Sequence, residues 1–371
     1  MLAIFCLAGC LFGIWLAIRE HRQRVTSAAT TDLRRAVALR PFDYTLWMAL
    51  GQSFEASGDQ VAAINSLNQA VLCAPFYAQP RWKLGNTLLK SGQRDAAFQH
   101  LAVAGSSDPE LFYEVTKLAW KEFEGDPAEV EKAVRPKTAV ERIKLARFFT
   151  WRGLPEKALA IFRATSEISA ADQNDLIADL IGSKSFAEAY QVRIRDRKDV
   201  DANGLGVIQE AGFETVSSFN EEGFGWKFPR DAGAVNIGFD KSNTGAGERS
   251  LRLHWHGNTD ASIPTLSQLV LIEPETHYKL HFSVRAQELT SGTTPFVGIA
   301  DASSNDEPML AQTEPLTPGD TWQNSTLEFA TGKNTKAIRI VLQRPRCAEQ
   351  PCPIFGRMWL DNFSLERIKH Q

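Results

Sequence analysis

Short motifs that mark common enzyme active sites are missing from this sequence. It has no Walker-type phosphate loop, no HExxH zinc motif, no GxSxG nucleophile elbow and no CxxC pair. It also lacks an excess of either charge, because 41 Lys and Arg residues are balanced by 44 Asp and Glu residues, for a net charge of -3. The missing motifs exclude the enzyme classes that they identify. The balanced charge gives no indication of a nucleic-acid partner.

Cysteine is scarce, with five in 371 residues, so the positions are more informative than the number. Cys347 and Cys352 bracket the loop CAEQPC. This pair either closes a small disulfide loop, if the domain lies outside the cytoplasm, or remains as two free thiols. The spacing alone leaves both alternatives open.

One long apolar run opens the sequence. Residues 2–18 carry no charge, and a basic cluster follows between Arg19 and Arg24. We predict that residues 1–24 form an uncleaved anchor that crosses a bacterial inner membrane once. A cleaved signal peptide fits less well, because no Lys or Arg precedes the apolar run. A lipoprotein cleavage site at LAGC also fits less well, because the apolar run continues well past Cys10. The basic cluster would by itself keep the body of the protein in the cytoplasm.

Two adjacent segments in the first half follow one pattern with a spacing of 34 residues. The matched pairs are Gly51 and Gly85, Gly58 and Gly92, Ala63 and Ala97, Leu67 and Leu101, Ala70 and Ala104, and Pro75 and Pro109. Small residues let two helices approach, glycine permits the turn between them, and proline ends the second helix. This pattern resembles the tetratricopeptide repeat family.

Weaker copies of the pattern lie on both sides, from DLRRAVALRP to DLIADLIGSKSFAEAYQVRIRD. We therefore predict a helical solenoid over residues 31–199. The resemblance implies a groove that binds a peptide or protein partner. The alternative is that these few repeats act as a spacer or a dimer surface.

Beyond residue 204, short alternating runs replace the helical period. The clearest are SLRLHWHG, YKLHFSVRA and AIRIVLQR, each with one apolar and one polar face. Such runs are typical of an antiparallel sandwich. Turn signals between them, such as EPETH and TPGDTW, predict eight to ten strands.

A series of motifs follows one order through residues 204–368. AGFET and Trp226 come first, then GERSLRL, LSQLVLIEPETHYKLHFSVRA, TPGDTWQNSTLEF and finally GRMWLDNFSLE. This order resembles the carbohydrate-binding modules of family 4/9. The resemblance implies a jelly-roll sandwich of the galactose-binding-like kind with a polysaccharide ligand. It also implies that Trp226, Tyr278 and Trp322 pack in the core.

An acid stands in the last predicted strand. With a period of two, Asp361 shares one face with Trp359, Phe363 and Leu365. The family resemblance implies that Glu214 and Asp361 lie side by side around a structural calcium ion, which would supply a partner for the acid. The alternative is that Asp361 caps a turn or accepts hydrogen bonds from backbone amides without metal.

The polar faces of the strands supply the candidate carbohydrate-binding residues. Their donors could recognise sugar hydroxyls or an acidic glycan if they line a concave sheet. A plain solvated face is the alternative, and two histidines on one strand could also hold a metal ion. The candidates on these faces are Arg252, His254, His256, His281 and Arg285, with Arg339 and Gln343 on a further strand. The family resemblance adds Gln268, which matches a polar position near the binding cleft.

The sequence thus predicts a multidomain, non-catalytic scaffold: an N-terminal membrane helix, an all-α tetratricopeptide-type solenoid and a C-terminal all-β jelly-roll sandwich. We expect its bulk in the periplasm, with a protein partner, a polysaccharide ligand and a role in envelope or exopolysaccharide assembly. One rival is a purely structural interaction protein without glycan affinity. The other is a glycan hydrolase, whose acids need not be close in sequence. Those acids would come from Glu214, Asp240, Asp301 and Asp361.

Overall fold

A computed structural model describes residues 29–195, 204–215, 223–228, 233–261, 263–349 and 351–368. The predicted anchor over residues 2–18 lies outside these ranges. Within them, none of the helices has the length and apolar character needed to cross a membrane. The helices come first and the strands afterwards, which confirms the predicted order of an all-α and an all-β part. The boundaries 31–199 and 204–368 stay predictions.

Contacts divide the chain into two compact units. The first consists of the chain up to Arg152 together with the separate segment Ala160–Glu167. The second contains Gly153–Leu159 and the residues from Ile168 onward. The last helices of the predicted solenoid therefore belong to the same unit as the strands.

Eleven helices occur in the described residues. They are α1 (29–39), α2 (Tyr44–Ser57), α3 (Gln60–Cys73), α4 (Ala78–Lys90), α5 (Arg94–Ser107), α6 (Pro109–Glu122), α7 (Pro127–Val134), α8 (Ala139–Trp151), α9 (Pro155–Arg163), α10 (Ala170–Gly182) and α11 (Phe186–Arg193).

Equivalent residues pack the first two helical hairpins. In the pair α2 and α3, a Cβ atom added to Gly51 would lie 2.7 Å from Leu67 Cγ. In the pair α4 and α5, a Cβ atom added to Gly85 would lie 2.5 Å from Leu101 Cγ. Both leucines are fully buried. Residues spaced by 34 positions therefore have the same packing role, and glycine is needed where the helices touch.

Glycine also closes the turn inside these hairpins. Gly58 follows α2 with a φ of 85°, and Gly92 lies just after α4 with a φ of 75°. A side chain is strained in this left-handed region, whereas glycine is not. Asp59 then caps α3, because its carboxylate accepts a hydrogen bond from the Ala62 backbone N–H at 3.0 Å.

Nine strands occur in the described residues, in agreement with the eight to ten predicted. The five-stranded sheet has the order β1-β2-β9-β4-β7 and the four-stranded sheet the order β3-β8-β5-β6, with antiparallel neighbours throughout. The strands are β1 (Val235–Asp240), β2 (Ser250–Asn258), β3 (Leu266–Leu271), β4 (His277–Ser291), β5 (Phe296–Asp301), β6 (Met309–Gln312), β7 (Gly319–Ala330), β8 (Ala337–Gln343) and β9 (Pro353–Ile368).

The two sheets pack face to face across one hydrophobic core. On β2, the core residues Leu251, Leu253 and Trp255 are at most 1% exposed and alternate with polar residues. Burial of each such side chain stabilises the fold by about 1.5–3 kcal/mol. The sandwich and the alternation predicted for this strand are confirmed.

Two of the three aromatic residues implied to be in the core are found there. Trp226 and Tyr278 are both 5% exposed and belong to the core cluster. Trp322 does not, because β7 turns it outward, where it lies half-buried against Gly245. The expectation for Trp322 is wrong.

Lys184 attaches the turn between α10 and α11 to the four-stranded sheet. Its Nζ donates hydrogen bonds to the backbone oxygens of Ala302 at 2.8 Å and Ser304 at 3.3 Å. Glu307 lies 3.9 Å from the same Nζ and accepts two hydrogen bonds from the Arg339 guanidinium, at 2.9 and 3.0 Å. These Arg339 bonds hold the pKa of Glu307 below its ordinary value, against the opposing effect of burial.

Glu307→Gln should lower the free energy of unfolding by about 1 kcal/mol at neutral pH, because it removes a partly exposed bidentate ion pair. Since the folded-state pKa is lowered, the stabilisation is present above the ordinary value of 4.5 and is lost as the pH falls through the folded value. Urea unfolding at several pH values should show that the difference in free energy of unfolding between wild type and variant shrinks as the pH falls below 4.5. Glu328→Gln, at a glutamate whose side chain is 63% exposed, is the control. A difference that stays constant down to low pH would contradict the prediction.

Cys347 and Cys352 form a disulfide, with Cα atoms 6.0 Å apart. Of the two alternatives left open by the sequence, the structure has the bonded one. The nearby Arg344 is buried and donates from Nη1 to Ser291 Oγ at 2.9 Å. Its Nη2 donates to the carbonyl oxygens of Thr259 at 3.2 Å and Cys352 at 3.1 Å. Arg344 thus joins the neighbouring ends of β2, β4 and β9.

Candidate ligand-binding face

The outer face of the five-stranded sheet is the side turned away from the core. Trp359 on β9 lies at its centre, opposite Arg252 on β2 and opposite Arg285 on β4. The Arg285 guanidinium lies over the Trp359 ring, 5.3 Å from its centroid. Trp359 is only 2% exposed, yet it is buried on the outer face and not in the core.

A bulge in β9 decides which residues reach this face. Asn362 has a φ of 55°, and the register with β4 shifts at this point. The extra residue reverses the alternation. Phe363 therefore packs in the core and Leu365 against it, while Trp359 and Asp361 point outward. The prediction that all four share one face is wrong.

Asp361 is fully buried although it points outward, because the connection between β1 and β2 covers it. Its Oδ2 accepts hydrogen bonds from the backbone N–H groups of Gly245 at 2.8 Å and Ala246 at 2.9 Å. Its Oδ1 accepts one from Asn362 N–H at 2.7 Å. Burial raises the pKa of Asp361, and these three donors oppose the rise. The acid holds a loop by its backbone amides, which is the metal-free alternative.

This connection, residues 241–249, is named the crossing loop, because it runs from the β1 and β2 edge over β9. Asn243 Oδ1 accepts a hydrogen bond from Arg285 Nη1 on β4 at 2.6 Å. Further along, Gly245 lies against Trp322 on β7. The crossing loop therefore divides the outer face into two areas.

The predicted calcium ligands come near each other, as the resemblance implied. A Cβ atom added to Gly212 would lie 3.6 Å from Glu214 Cγ and 3.8 Å from Asp361 Oδ1. Calcium needs six to eight oxygen ligands, but the groups around these carboxylates are N–H donors, and both Glu214 oxygens accept the Glu248 N–H at 3.1 Å. The described residues contain no cluster of three or more metal-ligating side chains. This donor set does not fit calcium, and a bound ion stays a prediction.

On one side of the crossing loop, β2 and β9 form the arginine–histidine patch, defined as Arg252, His254, His256, Phe355 and Arg357. His254 lies opposite Arg357, and His256 lies opposite Phe355. The two histidine rings are 6.3 Å apart. Within the described part of the chain, none of the four polar side chains has a hydrogen-bond partner. Their donors are therefore available to a ligand.

Phe355 is the functional candidate that the sequence analysis missed. It is 49% exposed on the outer face, between His256 on β2 and Thr290 on β4. The signal was present in IFGRMWL, where Phe355 occupies the same alternate positions as Arg357. A flat apolar ring between hydrogen-bond donors can stack on the apolar side of a polar, ring-shaped ligand.

On the other side of the crossing loop, a pocket of about 400 Å³ opens over the bulge in β9. Within it, His281 Nε2 lies 3.4 Å from Glu366 Oε2. The predicted residue His281 therefore belongs to a different area from the arginine–histidine patch. The polar residues that line this bulge pocket are His281, Ser283, Asn324, Ser325, Asn362, Ser364 and Glu366.

Gln268 is the predicted site residue that the structure does not bring to this face. It lies on β3 in the four-stranded sheet, points inward and is 1% exposed. Its amide exchanges two hydrogen bonds with the backbone of Gln209, at 3.0 and 2.9 Å. The Gln268 amide thereby supplies hydrogen-bond partners for the backbone N–H and C=O groups of Gln209. Arg339 and Gln343 lie on β8 in the same sheet.

The four acids considered for hydrolysis all accept structural hydrogen bonds. Asp240 accepts one from Trp359 Nε1 at 2.8 Å, and Asp301 accepts one from Thr335 Oγ1 at 2.7 Å. The other two bind backbone amides of the crossing loop. Burial tends to raise the pKa of Asp240, but the bonds from Trp359 and its neighbours outweigh this and lower it. A general acid needs the opposite shift. The pKa of Asp361 is raised, but this carboxylate is fully buried under the crossing loop.

No family model matches the sequence, and no curated protein matches it. The solved structures similar to this chain include the CBM22-1 xylan-binding domain of Paenibacillus barcinonensis Xyn10C, at 12% identity over 40% of this chain and 88% of that chain, with a TM-score of 0.30. A structure described as "CBM4 structure and function" matches at 12% identity over 44% of this chain and 100% of that chain, with a TM-score of 0.33.

A third similar structure is the type III secretion chaperone SycD of Yersinia enterocolitica, in complex with a peptide of the translocator YopD. It is 19% identical over 32% of this chain and 85% of that chain, with a TM-score of 0.23. Scores this low carry no argument about what this chain binds.

Proposed function

We propose that the sandwich is a non-catalytic, polysaccharide-binding module of the family 4/9 type with a jelly-roll fold, and that the arginine–histidine patch is its binding surface. The observation that carries this proposal is the exposed Phe355 ring among four donor side chains without internal partners. A sugar ring has an apolar side that stacks on an aromatic ring and hydroxyl groups that accept from arginine and histidine. Because the residues stand on paired strands, the site is preorganised.

The helical hairpins are, in this proposal, tetratricopeptide-type repeats that bind a protein partner. Phe42 and Phe76 lie 34 positions apart in the sequence, each directly after a proline. They are 87% and 86% exposed. Exposed apolar side chains at repeated positions are typical of an interaction surface, and this supports a protein partner.

We further propose that residues 2–18 anchor the protein in a bacterial inner membrane, with its bulk in the periplasm, as a scaffold for envelope or exopolysaccharide assembly. The disulfide between Cys347 and Cys352 supports an oxidising compartment. The basic cluster after the apolar run argues for the opposite orientation. A phosphatase fusion at the C-terminus tests this part, since alkaline phosphatase is active only on the periplasmic side.

Phe355→Ala should weaken polysaccharide binding by the full-length protein about tenfold, because a stacked aromatic ring contributes on the order of 1–1.5 kcal/mol. Affinity electrophoresis in gels containing each polymer of a polysaccharide panel would measure the loss. Phe42→Ala is the control, since it removes a phenylalanine that is even more exposed, at 87% against 49%, from the turn between α1 and α2. It should leave the affinity unchanged.

The rival functions give different results in the same assay. A purely structural protein would bind no polysaccharide in the panel. A hydrolase would release reducing ends from a bound polymer during prolonged incubation. Equal binding by wild type and Phe355→Ala would contradict the placement of the site on this patch.

A further inference from the structure

We propose that the ligand of the arginine–histidine patch is an acidic polysaccharide whose sugar rings carry carboxylates. This inference rests on the proposed function and narrows its ligand class. The balanced charge of the whole sequence gives no hint of it, because the relevant charges are concentrated by the fold.

Three arginine residues surround Trp359 on the outer face. Arg252 and Arg285 lie opposite it on the two neighbouring strands, and Arg357 lies two residues away on the same face of β9. His254 lies opposite Arg357 and adds further donors. A cluster of this kind creates a local positive potential on a chain whose net charge is -3.

The acids nearby do not neutralise this cluster. Asp240 interacts with Arg252, but its carboxylate already accepts hydrogen bonds from Trp359 Nε1 at 2.8 Å and from Asn243 Nδ2 at 3.1 Å. Glu288 is exposed on the bulge of β4 beside Gly356, where its φ is 53°, and it forms no ion pair within the described residues. At the centre of the face, two carboxylates that are already hydrogen-bonded, Asp240 and the loop-covered Asp361, thus stand against three arginines.

The guanidinium groups also have unused donors. Arg252 and Arg357 have no hydrogen-bond partner in the described residues. Arg285 donates to the neutral amide oxygen of Asn243, so its charge is not compensated by that bond. Arginine presents a planar pair of N–H groups that matches a carboxylate. A neutral glycan would leave these charges uncompensated, whereas a uronate residue would pair with them.

The test compares polymers that differ only in their carboxylates. Full-length protein is titrated against alginate, polygalacturonate and hyaluronate, and against the same polymers after reduction of their carboxyl groups to alcohols. We expect binding to at least one acidic polymer, with an affinity at least about tenfold higher than for its reduced form. Raising the salt concentration should weaken this binding, because exposed charges are screened.

A pair of variants connects the result to the patch. Arg252→Gln combined with Arg357→Gln should lower affinity for the acidic polymer more than tenfold, about tenfold for each lost charge-assisted contact. The melting temperature should stay unchanged, because neither side chain has an internal hydrogen bond. Arg35→Gln is the matched control, since Arg35 is exposed on α1.

The outcomes separate the two proposals. Equal binding to acidic and reduced polymers would overturn the inference and leave the proposed function standing. If no polymer of either kind binds, both fail. Equal binding to poly-L-glutamate would also overturn the inference, because it would show attraction to any polyanion and no recognition of a glycan.

Discussion

Asp361→Ala should lower the free energy of unfolding of the sandwich by about 2–4 kcal/mol, because it leaves three partly buried N–H groups without an acceptor. The carboxylate accepts three backbone hydrogen bonds, two of them from the crossing loop. Each buried donor left unpaired costs about 1–3 kcal/mol, and water that reaches part of the site reduces the sum. Urea denaturation followed by tryptophan fluorescence would measure the change.

Glu366→Ala is the control for this variant, since it removes an acid from the same strand whose side chain is 70% exposed. It should cost less than about 0.5 kcal/mol. Asp361→Asn should fall between the two, because the amide keeps one acceptor oxygen but directs N–H donors at other donors. A loss below about 1 kcal/mol for Asp361→Ala would show that the crossing loop does not depend on this carboxylate.

Gly85→Ala should destabilise the helical unit by about 1–3 kcal/mol, although alanine is the better helix former. The added methyl group would lie 2.5 Å from Leu101 Cγ and 3.1 Å from the Ala97 carbonyl oxygen. The leucine is fully buried, so it has little space into which to move. The helix must then separate from its neighbour or Leu101 must adopt a strained rotamer.

The same substitution at Gly182 should have the opposite effect on stability. A Cβ atom there would meet nothing within 4 Å. Gly182→Ala should therefore stabilise α10 by about 0.5–1 kcal/mol through helix propensity. Denaturant unfolding followed by circular dichroism at 222 nm would compare both variants with wild type. A Gly85→Ala protein that is more stable than wild type would contradict the close packing between α4 and α5.

The parts of the fold that the sequence predicted are those determined by local period. The 34-residue spacing identified the glycine positions Gly51 and Gly85, because each hairpin repeats one contact. The alternation in β2 predicted that Leu251 and Trp255 would be buried and His254 would face outward. In each case, a regular spacing along the chain carries the information.

The parts that failed depend on a single residue or on a distant segment. The bulge at Asn362 has no strong signal in a run of alternating residues, yet it reverses the faces of β9. The family resemblance implied that Gln268 lies near a binding cleft, but its partner is the backbone of Gln209, 59 positions away. Three of the predicted binding residues, Arg252, His254 and His256, do lie together.

The bulge in β9 means that side chains alternate between the two faces in one register before Asn362 and in the opposite register after it. Before Asn362, the odd-numbered residues face outward, and after it the even-numbered residues do. A substitution in β9 changes one side chain, whereas a deletion or insertion of one residue shifts the frame of everything downstream. If Asn362 were an ordinary strand residue instead of a bulge, the alternation of the upstream half would continue, and Phe363 and Leu365 would exchange faces with Ser364 and Glu366. The length of β9 is therefore under a stricter constraint than its composition.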